Sequence, residues 1–209
     1  MTLADAAMSS PMLIGALIDD CCSVIDANVE RLDSLDAAIG DGDHGTNMRR
    51  GAAAVLAERE AIANLPVGEA LGAAGRAAVM SIGGAAGPLY GTLLIELGKQ
   101  FPAEPKRADV ARAVSDAVDA VARRGRSEAG CKTLLDVLCP LRDAMLDGTP
   151  LAAIARDASR WAEATKNMRA LRGRASFLGA RSVGHVDPGA ASASLLVATI
   201  CRRLRDPFR

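Results

Sequence analysis

The sequence is poor in aromatic residues and has no excess of charge of either sign. Only 2% of its 209 residues are aromatic, whereas half are hydrophobic, mainly Ala, Leu, Val and Ile. Such small aliphatic side chains suit closely packed helices better than sheets. Lys plus Arg and Asp plus Glu number 25 each, so nothing indicates a nucleic-acid surface or an anionic membrane as a partner. Partners must be sought in local sites.

Paired cysteines and long apolar runs are also missing. The five cysteines include no C-x-x-C pair, so we interpret them as reduced thiols rather than zinc ligands or disulfides. No apolar run reaches the roughly 18 to 20 residues that a membrane span needs, and residues 1–10 carry no basic cluster typical of a targeting segment. We expect a soluble, cytoplasmic protein. No shift of composition marks a linker, so we expect a single domain over residues 1–209.

Hydrophobic residues repeat at helical spacing, and no segment alternates convincingly with period two. Helix starts are indicated where a small polar residue precedes a proline, as at Ser9 or Ser10 before Pro11. The pattern predicts an all-α antiparallel bundle of eight helices. The predicted helices cover residues from 11 to the acidic loop near 36, about 47–63, 67–82, 88–101, 110–125, 133–145, 150–168 and 188–204.

Four loops are rich in glycine and polar residues, and each follows an odd-numbered predicted helix. They cover residues 36–47, 83–88, 125–133 and 173–189. If consecutive helices are antiparallel, these loops meet at one end of the bundle. There they would offer backbone N–H groups for anions and two cationic clamps, Arg174 and Arg181. A tight turn at Gly83-Gly84 and solvated arginines are the simpler alternatives.

The first of these loops has the densest polar composition, LDAAIGDGDHGTNM over residues 35–48. Asp36, Asp41 and Asp43 must lie close together, and like charges at that range repel unless a cation lies between them. The spacing fails that of the common calcium loop, because the sixth position from Asp41 is not Gly and the twelfth is not Glu. The loop therefore predicts magnesium completed by phosphate oxygens and water, with an ordinary polar turn as the simpler alternative. For His44, tying down the loop and catalysis remain equally open.

Several segments of these loops are specific enough to compare with known families. They are LDAAIGDGDHGTNM at 35–48, GGAAGPLYGT at 83–92, KTLLD at 132–136, GRAS at 173–176 and GHVDPGA at 184–190. Together they resemble the nucleotide-binding L subunit, or L domain, of dihydroxyacetone kinases, and the match covers nearly the whole chain. The resemblance implies an antiparallel eight-helix barrel with the nucleotide at one end, in agreement with the loop pattern.

The resemblance also implies a set of site residues. It implies two Mg²⁺ ions that are held by Asp36, Asp41 and Asp43 and bridge the phosphates of ADP or ATP. The implied nucleotide-binding residues are His44, Asn47, Gly84, Ala85 and Ala86 at the phosphates, Gly125, Thr133 and Leu134 at the nucleoside, Arg181, Pro188 and Gly189 closing over it, and Arg174 and Asp187 in the same motifs. Phosphoryl transfer needs mainly alignment and charge neutralisation, for which Arg181 is the predicted catalytic residue.

The resemblance implies a partner as well. In this family a separate K subunit or domain holds the substrate on a histidine, so we expect this chain to supply the phosphoryl group to dihydroxyacetone or a related small ketose held there. Exchangeable ATP and a phosphotransferase-system protein that recharges bound ADP both remain possible donors. Ala86 stands where the family usually has serine, and Cys131 where it usually has an acid. These departures leave a second hypothesis, a non-catalytic nucleotide-sensing module that docks on a regulatory partner.

Overall fold

The computed structural model describes residues 10–102 and 105–206, and these residues form helices without any strand. The predicted all-α class is confirmed. The α-helices are α1 Pro11–Asp26, α2 Val29–Ile39, α3 His44–Ala57, α4 Arg59–Ala63, α5 Val67–Ser81, α6 Ala86–Gln100, α7 Arg107–Gly125, α8 Leu135–Leu146, α9 Leu151–Ala164 and α10 Pro188–Arg205. Two 3₁₀ segments, Thr165–Asn167 and Arg174–Ser182, lie between α9 and α10.

The predicted count of eight helices is not confirmed, because two predicted helices are each divided within the described ranges. The first divides into α1 and α2 before Asn28, whose side-chain amide donates to the carbonyl of Val24 at 2.8 Å. The second divides into α3 and α4 at Glu58. Hydrophobic spacing continues across both interruptions, so periodicity alone does not detect them.

Capping explains where several helices begin. The Ser10 hydroxyl accepts the N–H of Leu13 at 3.2 Å and Pro11 occupies the first turn of α1, which is the predicted start; Ser9 lies outside the described residues. Asp187 caps α10 in the same way, with the N–H of Ala190 donating to its carboxylate at 2.7 Å. A cap satisfies N–H groups that have no partner within the helix. Both starts were visible in the sequence.

The core lies between the long helices and is filled by medium-sized aliphatic side chains. Leu32, Val121, Val137 and Ile154 are almost completely buried, and they belong to four different helices. No helix in the described parts of the chain is both long and apolar enough to cross a lipid bilayer. The core therefore holds the bundle together, while the polar loops at its ends remain available for a site.

Helices α5 and α6 pack with their backbones in contact. A Cβ atom placed on Gly98 would lie 2.4 Å from the carbonyl oxygen of Gly68, and one placed on Gly68 would lie 2.6 Å from the carbonyl oxygen of Gly98. Backbone atoms cannot yield as a flexible side chain can, so these positions require glycine. This contact fixes the pair of helices that carries the second glycine-rich loop, residues 82–85.

We expect Gly98→Ala to lower the free energy of unfolding by about 1–3 kcal/mol, because the methyl group overpacks the contact between α5 and α6. Urea denaturation followed by circular dichroism measures this. Gly72→Ala is the matched control on α5, since its Cβ would meet only the guanidinium of Arg76, at 3.4 Å. Equal stability of the two variants would contradict the backbone contact.

Candidate functional site

A cavity of about 240 Å³ lies at the end of the bundle where the four predicted loops meet. Most of the predicted site residues line it. They are Asp36, Asp41, Asp43, His44, Asn47, Gly84, Ala85, Ala86, Thr133, Leu134, Arg174, Asp187, Pro188 and Gly189. Gly125 and Arg181 do not line it: Gly125 ends α7, and Arg181 is exposed in the second 3₁₀ segment.

Three carboxylates form one wall of the cavity. Asp36, Asp41 and Asp43 each offer an oxygen atom within 4.8 Å of the others. Asp36 also accepts the N–H groups of Gly42 at 2.9 Å and Asp43 at 3.0 Å, which folds the loop back over the end of α2. A Cβ on Gly40 would lie 2.2 Å from an Asp36 carboxylate oxygen, so only glycine lets the loop close this tightly.

The donor set of this wall fits a hard divalent cation. Oxygens on opposite sides of an octahedral Mg²⁺ lie about 4.2 Å apart, twice the usual Mg–O distance, so small side-chain rotations suffice to bring the three carboxylates to one ion. Among the described residues, Arg174 is the ion-pair partner of Asp41. Asp36 and Asp43 have no salt bridge to a side chain in the described ranges, which leaves negative charge for a metal to neutralise.

Four helices begin at the cavity. The lining residues Asp43 and His44 start α3, Ala85 and Ala86 start α6, Thr133 and Leu134 precede α8, and Asp187 and Pro188 start α10. Each helix N-terminus carries a partial positive charge and N–H groups without helical partners. Side chains accept N–H groups at the starts of α3, α8 and α10. The start of α6 has no side-chain cap, so its N–H groups are the best placed for an anion.

The first turn of α3 is tied to α2 by Asp33. The backbone N–H and the hydroxyl of Thr46 donate to its two carboxylate oxygens at 2.9 and 2.7 Å. Burial raises the pKa of Asp33, but the hydrogen bonds from Thr46 and the Gly45 N–H outweigh this and leave the pKa below its ordinary value. Asp33 lies outside the motif that the sequence singled out, so it was missed.

His44 is held by a buried hydroxyl network. Its Nε2 lies 2.8 Å from the hydroxyl of Ser192, which lies 2.7 Å from the hydroxyl of Tyr90. Burial lowers the pKa of His44, against the opposing effect of the carboxylates of Asp36, Asp33 and Asp43. A neutral, tethered imidazole matches the loop-fixing alternative better than a proton carrier. Ser192 was not predicted from the sequence. The signal that could have pointed to this network is Tyr90, which is the one tyrosine of the sequence and stands in the glycine-rich motif.

A family model described as the DAK2 domain matches residues 38–202, which is most of the chain and includes every residue that lines the cavity except Asp36.

The chain belongs to the DAK2 domain family.

The relatives of the chain confirm the resemblance to dihydroxyacetone kinase L subunits that the motifs predicted. The chain is 36% identical over 185 residues to "PEP-dependent dihydroxyacetone kinase 1, ADP-binding subunit DhaL" of Listeria innocua, covering 86% of this chain and 89% of the relative. It is 36% identical over 187 residues to the corresponding PEP-dependent subunit of Escherichia coli, covering 85% and 89%. It is also 36% identical to an L-erythrulose 1-kinase of Mycolicibacterium smegmatis, covering 91% of this chain but 35% of that protein.

Solved structures share the fold. The native dihydroxyacetone kinase of C. freundii matches with a TM-score of 0.74 at 21% identity, over 91% of this chain and 34% of that one. The same kinase in complex with AMP-PNP and Mg²⁺ matches with a TM-score of 0.73 at 20% identity, over 91% and 33%. The chain thus spans about a third of the solved kinase chain.

Two further polar residues of the DAK2 domain lie at the cavity without having been predicted. Arg172 lines it and donates from Nε to the carbonyl of Arg126 at 2.6 Å. Lys132 lines it as well, although only 1% of the residue is exposed. Lys132 is the first residue of the KTLLD motif and Arg172 precedes the GRAS motif, and the sequence gives no sign of which side chain near a motif points inward.

Asp187 is the most strongly perturbed carboxyl group at the cavity. Burial raises its pKa to about 7, although the N–H of Ala190 and the nearby Lys132 lower it, while Asp136 and Asp36 raise it. In the unfolded chain an aspartate ionises near pH 4. The folded DAK2 domain therefore holds a proton on Asp187 that the unfolded chain has released, between about pH 4 and pH 7.

We expect the stability of the wild type to fall relative to Asp187→Asn as the pH rises from 4 to 7, because only the wild type must ionise a buried carboxyl group. The difference amounts to no more than about 4 kcal/mol and stays constant above pH 7. Urea unfolding of both proteins across this range measures it, with the exposed Asp116→Asn as the control. A difference that does not depend on pH would contradict the pKa of Asp187.

Proposed function

We propose that this DAK2 domain binds a magnesium complex of ADP or ATP and transfers a phosphoryl group to dihydroxyacetone, or a related small ketose, held on a separate K subunit. The observation that carries the proposal is the cavity itself. Three carboxylates within 4.8 Å form one wall, and four helix N-termini supply the positive ends that a polyphosphate needs. The names of the relatives, which are ADP-binding subunits of dihydroxyacetone kinases and erythrulose kinases, support the nucleotide and the substrate class.

We assign Asp36, Asp41 and Asp43 to hold the metal. The resemblance to dihydroxyacetone kinase L subunits implies two ions rather than one. Bound magnesium supplies neutralisation of charge on the phosphate oxygens. The aspartates act as ligands and not as general bases. The N–H groups at the start of α6 face the phosphates, and Ala86 contributes only its backbone where the family usually has a serine hydroxyl.

The remaining proposed contacts orient the nucleotide. Asn47 is 6% exposed and lies so close to Gly83 that a Cβ there would meet its side-chain oxygen at 2.4 Å, so its carboxamide is fixed beside the glycine-rich loop. Arg174 contacts Asp41 and is 67% exposed, which leaves its guanidinium accessible to an incoming phosphate. The proposed catalytic role of Arg181 requires the second 3₁₀ segment to bring it toward the cavity on binding. Gly125, Thr133 and Leu134 are proposed to border the nucleoside.

The direct test is reconstitution. The purified domain is mixed with a cognate K subunit, dihydroxyacetone and Mg²⁺, and either ATP or a phosphotransferase-system donor protein is added. We expect phosphorylated ketose with one of the donors. Tightly held ADP that survives dialysis favours the phosphotransferase route, and reversible ATP binding favours the other. Nucleotide binding without product under either donor would overturn the kinase proposal in favour of a nucleotide-sensing module.

We expect Asp41→Asn to reduce magnesium-dependent ADP affinity by at least tenfold, because it removes one anionic ligand from the group of three. Isothermal titration with and without Mg²⁺ measures this. Asp26→Asn, which removes an exposed carboxylate at the end of α1, is the matched control. Unchanged affinity in Asp41→Asn would defeat the metal assignment.

An exposed aromatic side chain lies in the basic segment that contributes Arg174 to the cavity. Phe177 is 89% exposed and lies in the 3₁₀ segment that begins at the lining residue Arg174. Residues 164–186 contain Lys166, Arg169, Arg172, Arg174 and Arg181 and no acidic residue. A partner that brings an acceptor hydroxyl to the cavity must cover this segment, so we propose it as part of the contact with the K subunit.

We expect Phe177→Ser to lower product formation about tenfold at limiting K subunit, because an exposed aromatic residue is a typical interface anchor, and to leave ADP affinity unchanged. Steady-state assays over a range of K-subunit concentrations separate the two effects. Leu146→Ser is the control, because Leu146 is 54% exposed but ends a helix that starts at the cavity and so lies at the far end. Equal effects of the two substitutions would contradict the assignment.

A further inference from the structure

Lys132 is a buried lysine whose charge is satisfied by backbone carbonyl groups. It lies in the turn between α7 and α8, and 1% of it is exposed. Its ammonium nitrogen lies 2.5–3.2 Å from the carbonyl oxygens of Thr165, Met168, Ser182 and His185. An ammonium group has three N–H donors, so these four acceptors use its whole donor capacity. Lys132 has no N–H group left for a phosphate, unlike a lysine that binds nucleotide directly.

The four carbonyl groups come from both ends of one segment. Thr165 and Met168 open the connection between α9 and α10, whereas Ser182 and His185 close it. Between them the chain passes the cavity with Gly173, Arg174 and Ala175 among the lining residues. The ammonium group therefore fastens the segment, residues 165–185, at its base.

Few apolar contacts hold this segment otherwise. Its buried cluster consists of Ala170 and Ala175 with Ile39 of α2, and Leu178 packs against it. Two alanine side chains bury little apolar surface, so polar contacts must hold the segment. They include the Leu171 N–H to the Cys131 carbonyl at 3.1 Å and the Gly184 N–H to the Lys166 carbonyl at 2.8 Å.

The backbone of Lys132 is arranged for this contact. Its φ of 61° lies in the left-handed region, which residues with a side chain rarely adopt. The next two residues, Thr133 and Leu134, line the cavity. Burial lowers the pKa of Lys132, and the carboxylates of Asp187 and Asp136 raise it. The backbone of Lys132 thus lies beside the lining residues Thr133 and Leu134, and its side chain holds the segment that contributes Gly173, Arg174 and Ala175 to the same cavity.

We propose that Lys132 is a positioning residue for the nucleotide site, whose ammonium group holds residues 165–185 closed over the cavity through their carbonyl groups. Only the expected effect of Lys132 on nucleotide affinity rests on the proposed function. The effect on the segment itself does not depend on any ligand.

The first test replaces the lysine by methionine, which keeps an unbranched apolar stem and removes the charge. We expect Lys132→Met to keep native helicity in circular dichroism and to bind Mg-ADP at least tenfold more weakly than the wild type. Hydrogen exchange without nucleotide should become faster at the N–H groups of Leu171, Gly184 and Asp187 and stay unchanged within α7. Lys99→Met, which removes an exposed lysine near the end of α6, is the control and should behave as the wild type.

The second test restores the missing group chemically. Lys132→Ala lacks a side-chain fragment equivalent to n-propylammonium, so added n-propylammonium should recover part of the Mg-ADP affinity, whereas 1-propanol should not. A residue that only fills space would be replaced equally well by methionine or by the alcohol.

The outcomes separate the inference from the proposed function. A wild type that binds no nucleotide contradicts the proposed function, and hydrogen exchange alone then decides whether Lys132 holds the segment. Unchanged exchange and affinity in Lys132→Met, in a wild type that binds Mg-ADP, would overturn the inference. Loss of native helicity in both Lys132→Met and Lys132→Ala would also overturn the inference, because the whole fold would then require Lys132.

Discussion

Asp36, Asp41 and Asp43 place three negative charges within 4.8 Å of one another. The rest of the site must balance this charge. Like charges at this range destabilise a folded chain unless positive groups surround them. Four helices begin at the same cavity and direct the positive ends of their dipoles toward it. The bundle thereby offers opposite charges to the metal and the anion that we propose to bind there together, each reducing the cost of the other.

This arrangement requires the loops at the cavity to stay in place. Polar side chains hold these loops. Asp33 fixes the start of α3 through Thr46, and Ser192 holds His44. Lys132 gathers four carbonyl groups of the segment before α10. These groups are buried or half-buried and hydrogen-bonded, which makes each expensive to remove. The aliphatic core determines that the helices form a bundle, and these contacts determine the shape of its polar end.

Much of this could be predicted from the sequence, because the strongest signals are local. Periodicity indicated the all-α class, and the Ser10 and Asp187 caps marked helix starts. The alternation of plain and elaborated loops indicated one site-bearing end, and the structure has the four loops meeting at a single cavity. The helix count failed at Asn28 and Glu58, where the apolar pattern continues across a short break. Asp33, Ser192 and Lys132 could not be predicted, because their roles depend on contacts between segments far apart in the sequence. The exposed position of Arg181 could not be predicted either, because a motif does not indicate which way each of its side chains points.

The proposed role of the three aspartates is to hold the metal of a bound nucleotide. A crystal structure with ADP and Mn²⁺ in place of Mg²⁺ tests it most directly, because manganese is located by its anomalous scattering independently of the surrounding atoms. We expect manganese bound to Asp36, Asp41 and Asp43 and also to phosphate oxygens at the start of α6. Nucleotide bound at this cavity with its metal on other residues, or manganese on the aspartates with no phosphate beside it, would contradict the metal assignment.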